Sequence, residues 1–214
     1  DGQFGNLPAT SQRVSIEKRK PRLGGFTHSI ADRPQTRFSF IGEGIARDDK
    51  DYIPAYLVNQ ILGGSGLTSR LSHEIREKRG LAYGVSTGLS HAEAVNLFSG
   101  SVATRSDFAD KTLEVMKAEL QRMASNGPSA QELAFAKSHA IGAYALNFDS
   151  SSDIANTLTG LQTQGLPADY IRTRVEKINA VTLEEARRAA NRLLGSGHYA
   201  FVRLGPALPQ PADQ

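Results

Sequence analysis

The strongest constraint on the fold of this chain is the alternation of residue size between Leu81 and Ser90. Leu81 and every second residue after it are mostly large, whereas the residues between them are all small, namely Ala82, Gly84, Ser86, Gly88 and Ser90. A period of two is typical of a β-strand, because successive side chains point to opposite faces. A second such run, Val95–Thr104, follows the short turn 91–94. This spacing predicts an antiparallel pair of strands.

The all-small face of the first strand has two explanations. Small side chains allow a helix to pack unusually close to the strand, or they leave space for another molecule. We expect a closely packed helix on this face, and an open face remains the alternative. The large residues, including Tyr83 and Val85, are expected to lie together on the opposite face.

The rest of the chain carries local signals for further strands and for helices. Apolar spacing and turn residues predict three more strands: Phe26–Ile30 and Thr36–Ile41, which flank a turn at 31–34, and His198–Leu204. Asp48 or Asp49 is expected to cap the first helix, which runs to Ile61 or Leu62. Six more helices are predicted, at 69–79, 107–124, 129–147, 151–163, 169–179 and 182–194.

Three short motifs indicate where helices begin and end. Ser129 with Glu132, and Thr182 with Glu185, have the spacing of a capping box, in which each side chain bonds the other residue's backbone N–H. Gly80 follows the second helix at the position where a left-handed residue commonly ends a helix.

The order of these elements lacks the regular strand–helix–strand alternation of a parallel α/β fold. We therefore predict an α+β domain, with a largely antiparallel or mixed β-sheet and helices packed on one face. The domain is expected to span residues 25–205. Residues 1–24 are polar, basic and rich in turn formers, which indicates a linker with one short strand at Arg13–Ile16. Residues 206–214 indicate a tail.

Composition excludes several classes of function. The 214 residues include no Cys, which removes disulfide scaffolds, thiolate zinc sites, iron–sulfur clusters and cysteine nucleophiles. No run approaches the roughly 18 apolar residues of a membrane-spanning helix. A formal net charge of +3 is too small to indicate a nucleic-acid partner. Asp1 rather than Met opens the sequence, which indicates a processed chain or a fragment whose targeting segment is missing.

Common catalytic motifs are missing as well. The five histidines, at 28, 73, 91, 139 and 198, include no pair at metal-binding spacing, and neither H-E-x-x-H nor H-x-x-E-H occurs. We therefore predict no metal site and no cofactor-binding residue in this chain. The glycine-rich segment 63–66 is not followed by the Lys of a phosphate-binding P-loop, and no G-x-S-x-G nucleophile motif occurs.

One longer segment is more specific. Residues 56–83 read YLVNQILGGSGLTSRLSHEIREKRGLAY. Its parts N-x-x-L-G-G, S-R-L and I-R-E-K-x-G-L-A-Y closely resemble the C-terminal, zinc-free half domain of the pitrilysin/insulinase family of zinc metallopeptidases, which includes mitochondrial processing peptidase. Residues 34–36 also fit this resemblance, and the predicted order of elements agrees with it over about residues 20–205.

The resemblance implies a metalloendopeptidase whose two homologous halves close around a chamber. One half carries H-x-x-E-H, the zinc and the general base, and the other supplies an Arg and a Tyr, seven residues apart, that bind the substrate. This chain has Arg76 and Tyr83 at that spacing. They would then bind the substrate carbonyl and stabilise the transition state. A zinc-bearing partner half, in the same polypeptide or as a separate subunit, would complete the enzyme, and this domain alone is predicted to be inactive.

The residues themselves are compatible with this role. Arg76 lies in the last turn of its predicted helix, and Gly80 allows the chain to reverse into the strand that carries Tyr83. A guanidinium and a phenol can both donate to one carbonyl oxygen. The alternative is structural, because an Arg at a helix C-terminus meets the helix dipole and a strand Tyr often packs. Structural roles, in capping and surface charge pairs, are expected for Ser69, Arg70, Glu74 and Glu77.

Two other functions stay open. Family members in respiratory complexes keep the fold without peptidase activity, so an inactive structural or assembly homologue is the main alternative. Nucleic-acid binding has less support, because the basic residues are interspersed with acids and lack neighbouring aromatics. The substrate sequence, the compartment and the oligomeric state, including a homodimer of the isolated domain, are left open. Small bacterial relatives are often exported, so the resemblance alone, and nothing else in the sequence, suggests the periplasm.

Overall fold

Five strands form one sheet in the computed structural model, which describes residues 16–207. In chain order they are β1 (Phe26–Ile30), β2 (Gln35–Glu43), β3 (Ala82–His91), β4 (Asn96–Arg105) and β5 (Ala200–Gly205). Their spatial order is β1-β5-β2-β4-β3. Strands β2, β3 and β4 are antiparallel to their neighbours, and β1 runs parallel to β5. The predicted α+β class and mixed sheet are confirmed.

Only parts of the predicted linker and tail lie within the described residues. Residues 16–25 form neither helix nor strand. The short strand predicted at Arg13–Ile16 lies outside the described residues except for Ile16, and so does most of the predicted tail at 206–214. The division into linker, domain and tail therefore stays a prediction.

Seven helices fill the intervals between the strands within residues 16–207. They are α1 (Tyr52–Asn59), α2 (Arg70–Ser72), α3 (Ala109–Asn126), α4 (Ala130–Ala145), α5 (Ser151–Thr163), α6 (Tyr170–Ala180) and α7 (Leu183–Leu194). The first two continue as wide π-helical turns, Gln60–Gly64 and His73–Glu77. Both predicted capping boxes are present, at the start of α4 and of α7.

The predicted cap of α1 by Asp48 or Asp49 is wrong. The helix begins after Asp51, and no side chain caps it. The Asp49 carboxylate accepts a hydrogen bond from the Asp51 backbone N–H at 2.9 Å, and both carboxylates form ion pairs with arginines of α7. These aspartates therefore link the loop before α1 to α7 rather than to the first turn of their own helix.

The helices cover one face of the sheet. Phe38, Phe40 and Phe98 point to this face and are at most 2% exposed. The ring of Phe40 lies 5.5 Å from that of Phe98 and 5.4 Å from that of Phe201, measured between centroids. Apolar side chains of the helices, such as Met116, complete one continuous core with these rings. These rings and the aliphatic side chains of the helices together bury the apolar area that stabilises the fold.

The opposite face of the sheet is open, and here the prediction of a closely packed helix is wrong. Ser86 and Ser90 of β3 are exposed, and a Cβ at Gly84 or Gly88 would meet no atom within 4 Å. Across the strands, Ser101 lies between Ser86 and a serine of β2 in register. We call the surface formed by the outward-facing residues of β2, β3 and β4 the open face.

Candidate functional site

The segment that carries Arg76 is fixed at its beginning by a cap and along its length by apolar burial. The Ser69 hydroxyl accepts a hydrogen bond from the Ser72 backbone N–H, which is the N-cap arrangement. Leu71 and Ile75 are fully buried beneath α2 and its continuation. The cap and the two buried side chains fix the orientation of the last turn and therefore of Arg76.

A left-handed glycine then reverses the chain, as the sequence predicts. Gly80 has a φ of +61°, a conformation that a residue with a Cβ rarely adopts. Its N–H donates to the Arg76 carbonyl at 3.0 Å, and the Leu81 N–H donates to the Ile75 carbonyl at 2.8 Å. The strand β3 therefore starts directly beside the turn that carries Arg76.

Glu74 holds this turn in place from beneath. Its carboxylate accepts hydrogen bonds at 2.6 Å from Lys78 and from Arg79, and the residue is only 8% exposed. The hydrogen bond from Lys78, followed by that from Arg79, lowers the pKa of Glu74 to about 2. The expected pairing of charges is present, but the expectation that Glu74 lies on the surface is wrong.

A second ion pair joins the start of α2 to α4. Arg70 donates to both carboxylate oxygens of Glu132, at 2.5 Å and 2.7 Å, and to the Gly127 carbonyl at 3.2 Å. The hydrogen bond from Arg70 lowers the pKa of Glu132 to about 2. The sequence predicts a structural role for Arg70 but not its partner, because Glu132 is already assigned to its capping box and lies far along the chain.

A β-bulge determines where Tyr83 points. Ala82 pairs with Thr104 and Val85 pairs with Val102, so two residues of β3 oppose one residue of β4. Ala82 and Val85 are both buried as a result, whereas Tyr83 is 86% exposed. The prediction that Tyr83 shares a face with Val85 is therefore wrong, because the bulge interrupts the alternation on which it was based.

The two predicted site residues lie next to each other. The Arg76 guanidinium carbon is 4.9 Å from the centroid of the Tyr83 ring, a cation–π contact. The neighbouring carboxylates are engaged elsewhere, Glu74 with Lys78 and Arg79 and Glu77 with His73. Within residues 16–207, Arg76 thus has no ion-pair partner, and its charge is free to meet an acceptor from outside.

The same part of the molecule offers hydrogen-bond donors rather than metal ligands. The residues that the structure describes contain no group of three His, Asp or Glu side chains placed to hold a metal ion. His73, the histidine nearest to Arg76 in sequence, has its Nδ1 2.7 Å from a Glu77 carboxylate oxygen. A guanidinium beside an exposed phenol can bind a carbonyl oxygen or another anionic or polar acceptor.

No helix in the described part of the chain combines the length and the apolar character needed to cross a bilayer.

Comparisons with known proteins match this fold and this segment. A family model described as the peptidase M16 inactive domain matches residues 1–140. An uncharacterised zinc protease of Streptomyces coelicolor is 27% identical over 198 residues, which are 92% of this chain and 43% of that protein. A non-peptidase homologue from Helicobacter pylori is 30% identical over 125 residues, 58% of this chain and 29% of that protein.

A solved structure gives the same result. The crystal structure of a peptidase M16 inactive domain from Pseudomonas fluorescens superimposes with a TM-score of 0.85 at 31% identity. The matched region covers 97% of this chain and 49% of the Pseudomonas chain. This chain thus spans less than half the length of the Streptomyces relative and about half of the Pseudomonas chain. The resemblance drawn from residues 56–83 is confirmed.

Proposed function

Because this chain belongs to the peptidase M16 family, as its inactive domain, we propose that it forms the zinc-free half of a zinc metallopeptidase and that Arg76 and Tyr83 bind the substrate. The observation that carries this proposal is the contact between the two side chains. Arg76 lies 4.9 Å from the Tyr83 ring, has no ion-pair partner among the described residues, and is half-buried beside an 86% exposed phenol.

This arrangement suits hydrolysis of a peptide bond. When water attacks the scissile carbonyl, negative charge develops on its oxygen. A guanidinium and a phenol fixed nearby can donate hydrogen bonds to that oxygen, and one such donor is typically worth about 3–4 kcal/mol of transition-state stabilisation. The ion pairs of Glu74 and the turn at Gly80 hold the two groups in position before the substrate arrives.

The metal would belong to the other half of the enzyme. The described residues of this chain supply no suitable ligand cluster, so the zinc would be held by a partner half that carries H-x-x-E-H. When bound there, zinc supplies Lewis acidity and activates water. This chain would bind and orient the carbonyl opposite that metal.

The substrate class that fits is an extended peptide. Strand β3 lies at one end of the sheet order, so one side of its backbone has no strand partner in the described chain. An extended peptide can add to such an edge through backbone hydrogen bonds. Tyr83 stands on this same strand, and the open face of small residues beside it would form part of the chamber wall.

The alternative is a structural homologue without peptidase activity. The Helicobacter pylori relative is described as a non-peptidase homologue, and it is similar over 58% of this chain. A scaffold needs the fold and its core but has no requirement for a free cation beside an exposed phenol. The presence of Arg76 and Tyr83 favours the peptidase role.

The test replaces the two residues in the complete enzyme, with both halves present. Arg76→Ala and Tyr83→Phe should each lower kcat/KM for peptide cleavage by about 10²-fold, the usual effect of removing one transition-state donor. The zinc content should stay unchanged, because neither residue binds the metal. Arg172→Ala and Tyr199→Phe, which change an exposed Arg of α6 and a Tyr of the core, are the matched controls. Unchanged turnover in both site variants would reject this role.

A further inference from the structure

A second cluster of tyrosine and arginine side chains lines a cavity on the helical side of the molecule. The cavity has a volume of about 310 Å³ and lies between α1, α4, α5 and α6. Six of its lining side chains are aromatic or cationic: Arg47, Tyr52, Tyr56, Tyr144, Tyr170 and Arg174. They come from the loop before α1 and from three helices, so the tertiary fold alone brings them together. We call this the tyrosine–arginine pocket.

Each of the two arginines makes cation–π contacts with a pair of tyrosine rings. The Arg47 guanidinium carbon lies 4.1 Å from the ring centroid of Tyr52 and 5.0 Å from that of Tyr170. The Arg174 guanidinium carbon lies 4.4 Å from Tyr144 and 5.0 Å from Tyr56. These cation–π contacts hold the two guanidinium groups at the cavity, and each group keeps N–H donors that can meet an acceptor there.

The lining of the pocket carries positive charge and no carboxylate. No Asp or Glu occurs among the residues that line the cavity. Arg47 uses its Nε to donate to the neutral Gln164 side chain at 3.0 Å. In residues 16–207 neither Arg47 nor Arg174 takes part in an ion pair, whereas Arg188 and Arg192 of α7 both do.

Two phenol hydroxyls of the pocket also lack a partner. The hydroxyls of Tyr144 and Tyr170 are buried and make no hydrogen bond with any described residue. Tyr170 as a whole is only 5% exposed. Burial raises the pKa of Tyr144, so its hydroxyl keeps its proton and remains a donor at neutral pH. Buried hydroxyls are normally hydrogen-bonded, so an unpartnered pair beside two cations indicates a missing acceptor.

We propose that the tyrosine–arginine pocket binds a carboxylate group of a peptide or protein. Two cations and two phenol donors converge on one cavity that contains no acid, and they match a planar acceptor with two oxygens. The aromatic walls would hold the apolar atoms that carry the carboxylate. The pocket shares no residue with the Arg76–Tyr83 pair, so this proposal is independent of the proposed peptidase function.

The first experiment measures the unfolding midpoint of the 214-residue chain in increasing sodium acetate, with chloride adjusted to keep the ionic strength constant. An anion that binds only the folded state raises the midpoint by mass action. We expect this rise for the parent protein. In the Tyr144→Phe/Tyr170→Phe variant, which keeps both rings, apparent binding of acetate should be at least about tenfold weaker.

The controls separate anion binding from general stability. Tyr199→Phe removes a hydroxyl that bonds the Leu194 carbonyl outside the pocket, and its response to acetate should equal that of the parent. Arg174→Met should abolish the response, because Met keeps the unbranched stem but has no charge. A parent protein without any response overturns the proposal, and so does an undiminished response in the double Tyr variant.

A second experiment identifies the source of the carboxylate. It compares three acetylated tripeptides as competitors of acetate: tri-alanine as the free acid, tri-alanine amide, and Ala-Asp-Ala amide. If the free acid binds more tightly than the Asp peptide, the ligand is a chain terminus. If the Asp peptide binds more tightly, the ligand is an acidic side chain. Equal binding of these two peptides means that the pocket accepts either carboxylate. If tri-alanine amide competes as well as the others, or if inorganic phosphate binds more tightly than acetate, the assignment to a carboxylate is wrong.

Discussion

The helix-covered face and the open face of the same sheet are built from opposite kinds of residue. In β2, Phe40 is 2% exposed and contacts three other aromatic rings on the covered face. The preceding residue, Ser39, points to the open face beside Ser101. The covered face buries large apolar area and stabilises the fold. The outward-facing residues of β2, β3 and β4 on the open face bury little apolar area. The Arg76–Tyr83 pair lies at the edge strand of this face.

The helix-covered face contributes to the core, whereas a Cβ at Gly84 or Gly88 on the open face would meet no atom within 4 Å. If no core packing occurs on the open face, substitutions at adjacent positions of one strand should change the free energy of unfolding by very different amounts. Substitutions on the two faces, and loss of the ion pairs that fix α2, can therefore break or sharpen this comparison.

The largest effect is expected for Phe40→Ala. Removal of a buried aromatic ring typically costs about 3–5 kcal/mol of folding free energy, because it leaves a cavity in a packed core. Ser39→Ala, one residue earlier on the open face, should change stability by less than about 0.5 kcal/mol. Urea unfolding of both variants measures the contrast. Similar losses in the two would mean that the faces do not differ in packing.

A matched pair of glycines gives the next effect. A Cβ at Gly100 would clash with the Cε1 atom of Phe40 and lie 3.0 Å from the Ser86 carbonyl oxygen, whereas a Cβ at Gly88 would meet nothing within 4 Å. Gly100→Ala should cost about 1–3 kcal/mol through overpacking. Gly88→Ala should be neutral or stabilise by up to about 1 kcal/mol. The denaturant midpoints report this difference, and a reversed order would contradict it.

Acid should weaken the ion pairs that fix α2. Glu74 and Glu132 both have a pKa of about 2 in the folded protein, below their ordinary value of 4.5. Their contribution is therefore complete above about pH 5 and is lost as the pH falls through 4.5 toward 2. Because Glu132 is partly exposed, we expect a loss of about 1–2 kcal/mol in total.

The variant Arg70→Met separates the two ion pairs. It removes the partner of Glu132 and leaves the interactions of Glu74 with Lys78 and Arg79 intact. Free energies of unfolding measured between pH 7 and pH 2.5 should therefore fall less steeply for this variant than for the parent. An identical pH dependence would show that Arg70 does not stabilise the ionised form of Glu132.

The smallest effect is expected for Ser101→Val. Ser101 lies in the centre of the open face, between Ser86 and Ser39 in register. A β-branched residue suits a strand, and Ser101 is partly exposed, so stability should change by less than about 0.5 kcal/mol. Thermal unfolding measures it. A loss above about 1 kcal/mol would indicate that a segment of the protein covers the face.

Local signals predicted most of the fold. The capping boxes at Ser129 and Thr182 and the left-handed Gly80 each depend on residues within a few positions, so the sequence shows them directly. The small residues of β3 fit both a closely packed helix and an open face, because a strand pattern shows which residues share a face but not which face the helices cover. The bulge at Tyr83 cannot be predicted from the local sequence, since it depends on the register of β3 against β4.

The candidate site divides in the same way. Arg76 and Tyr83 are close in sequence and separated by one turn, so their contact could be expected from the residues and from the family resemblance. The Arg70–Glu132 ion pair and the tyrosine–arginine pocket join segments that are far apart in the chain. Nothing in the local pattern around Arg47 or Arg174 indicates that tertiary packing will place them in one cavity.

The parallel pairing of β1 with β5 also has a mechanical consequence. The chain enters β1 at Phe26, next to Phe201, and leaves β5 at Gly205, next to Ile30. Entry and exit therefore lie at opposite ends of two adjacent strands, about 13 Å apart along the strand direction. A pulling force applied through the segments before and after these strands would load their hydrogen bonds in shear, all at once, rather than unzip them one by one.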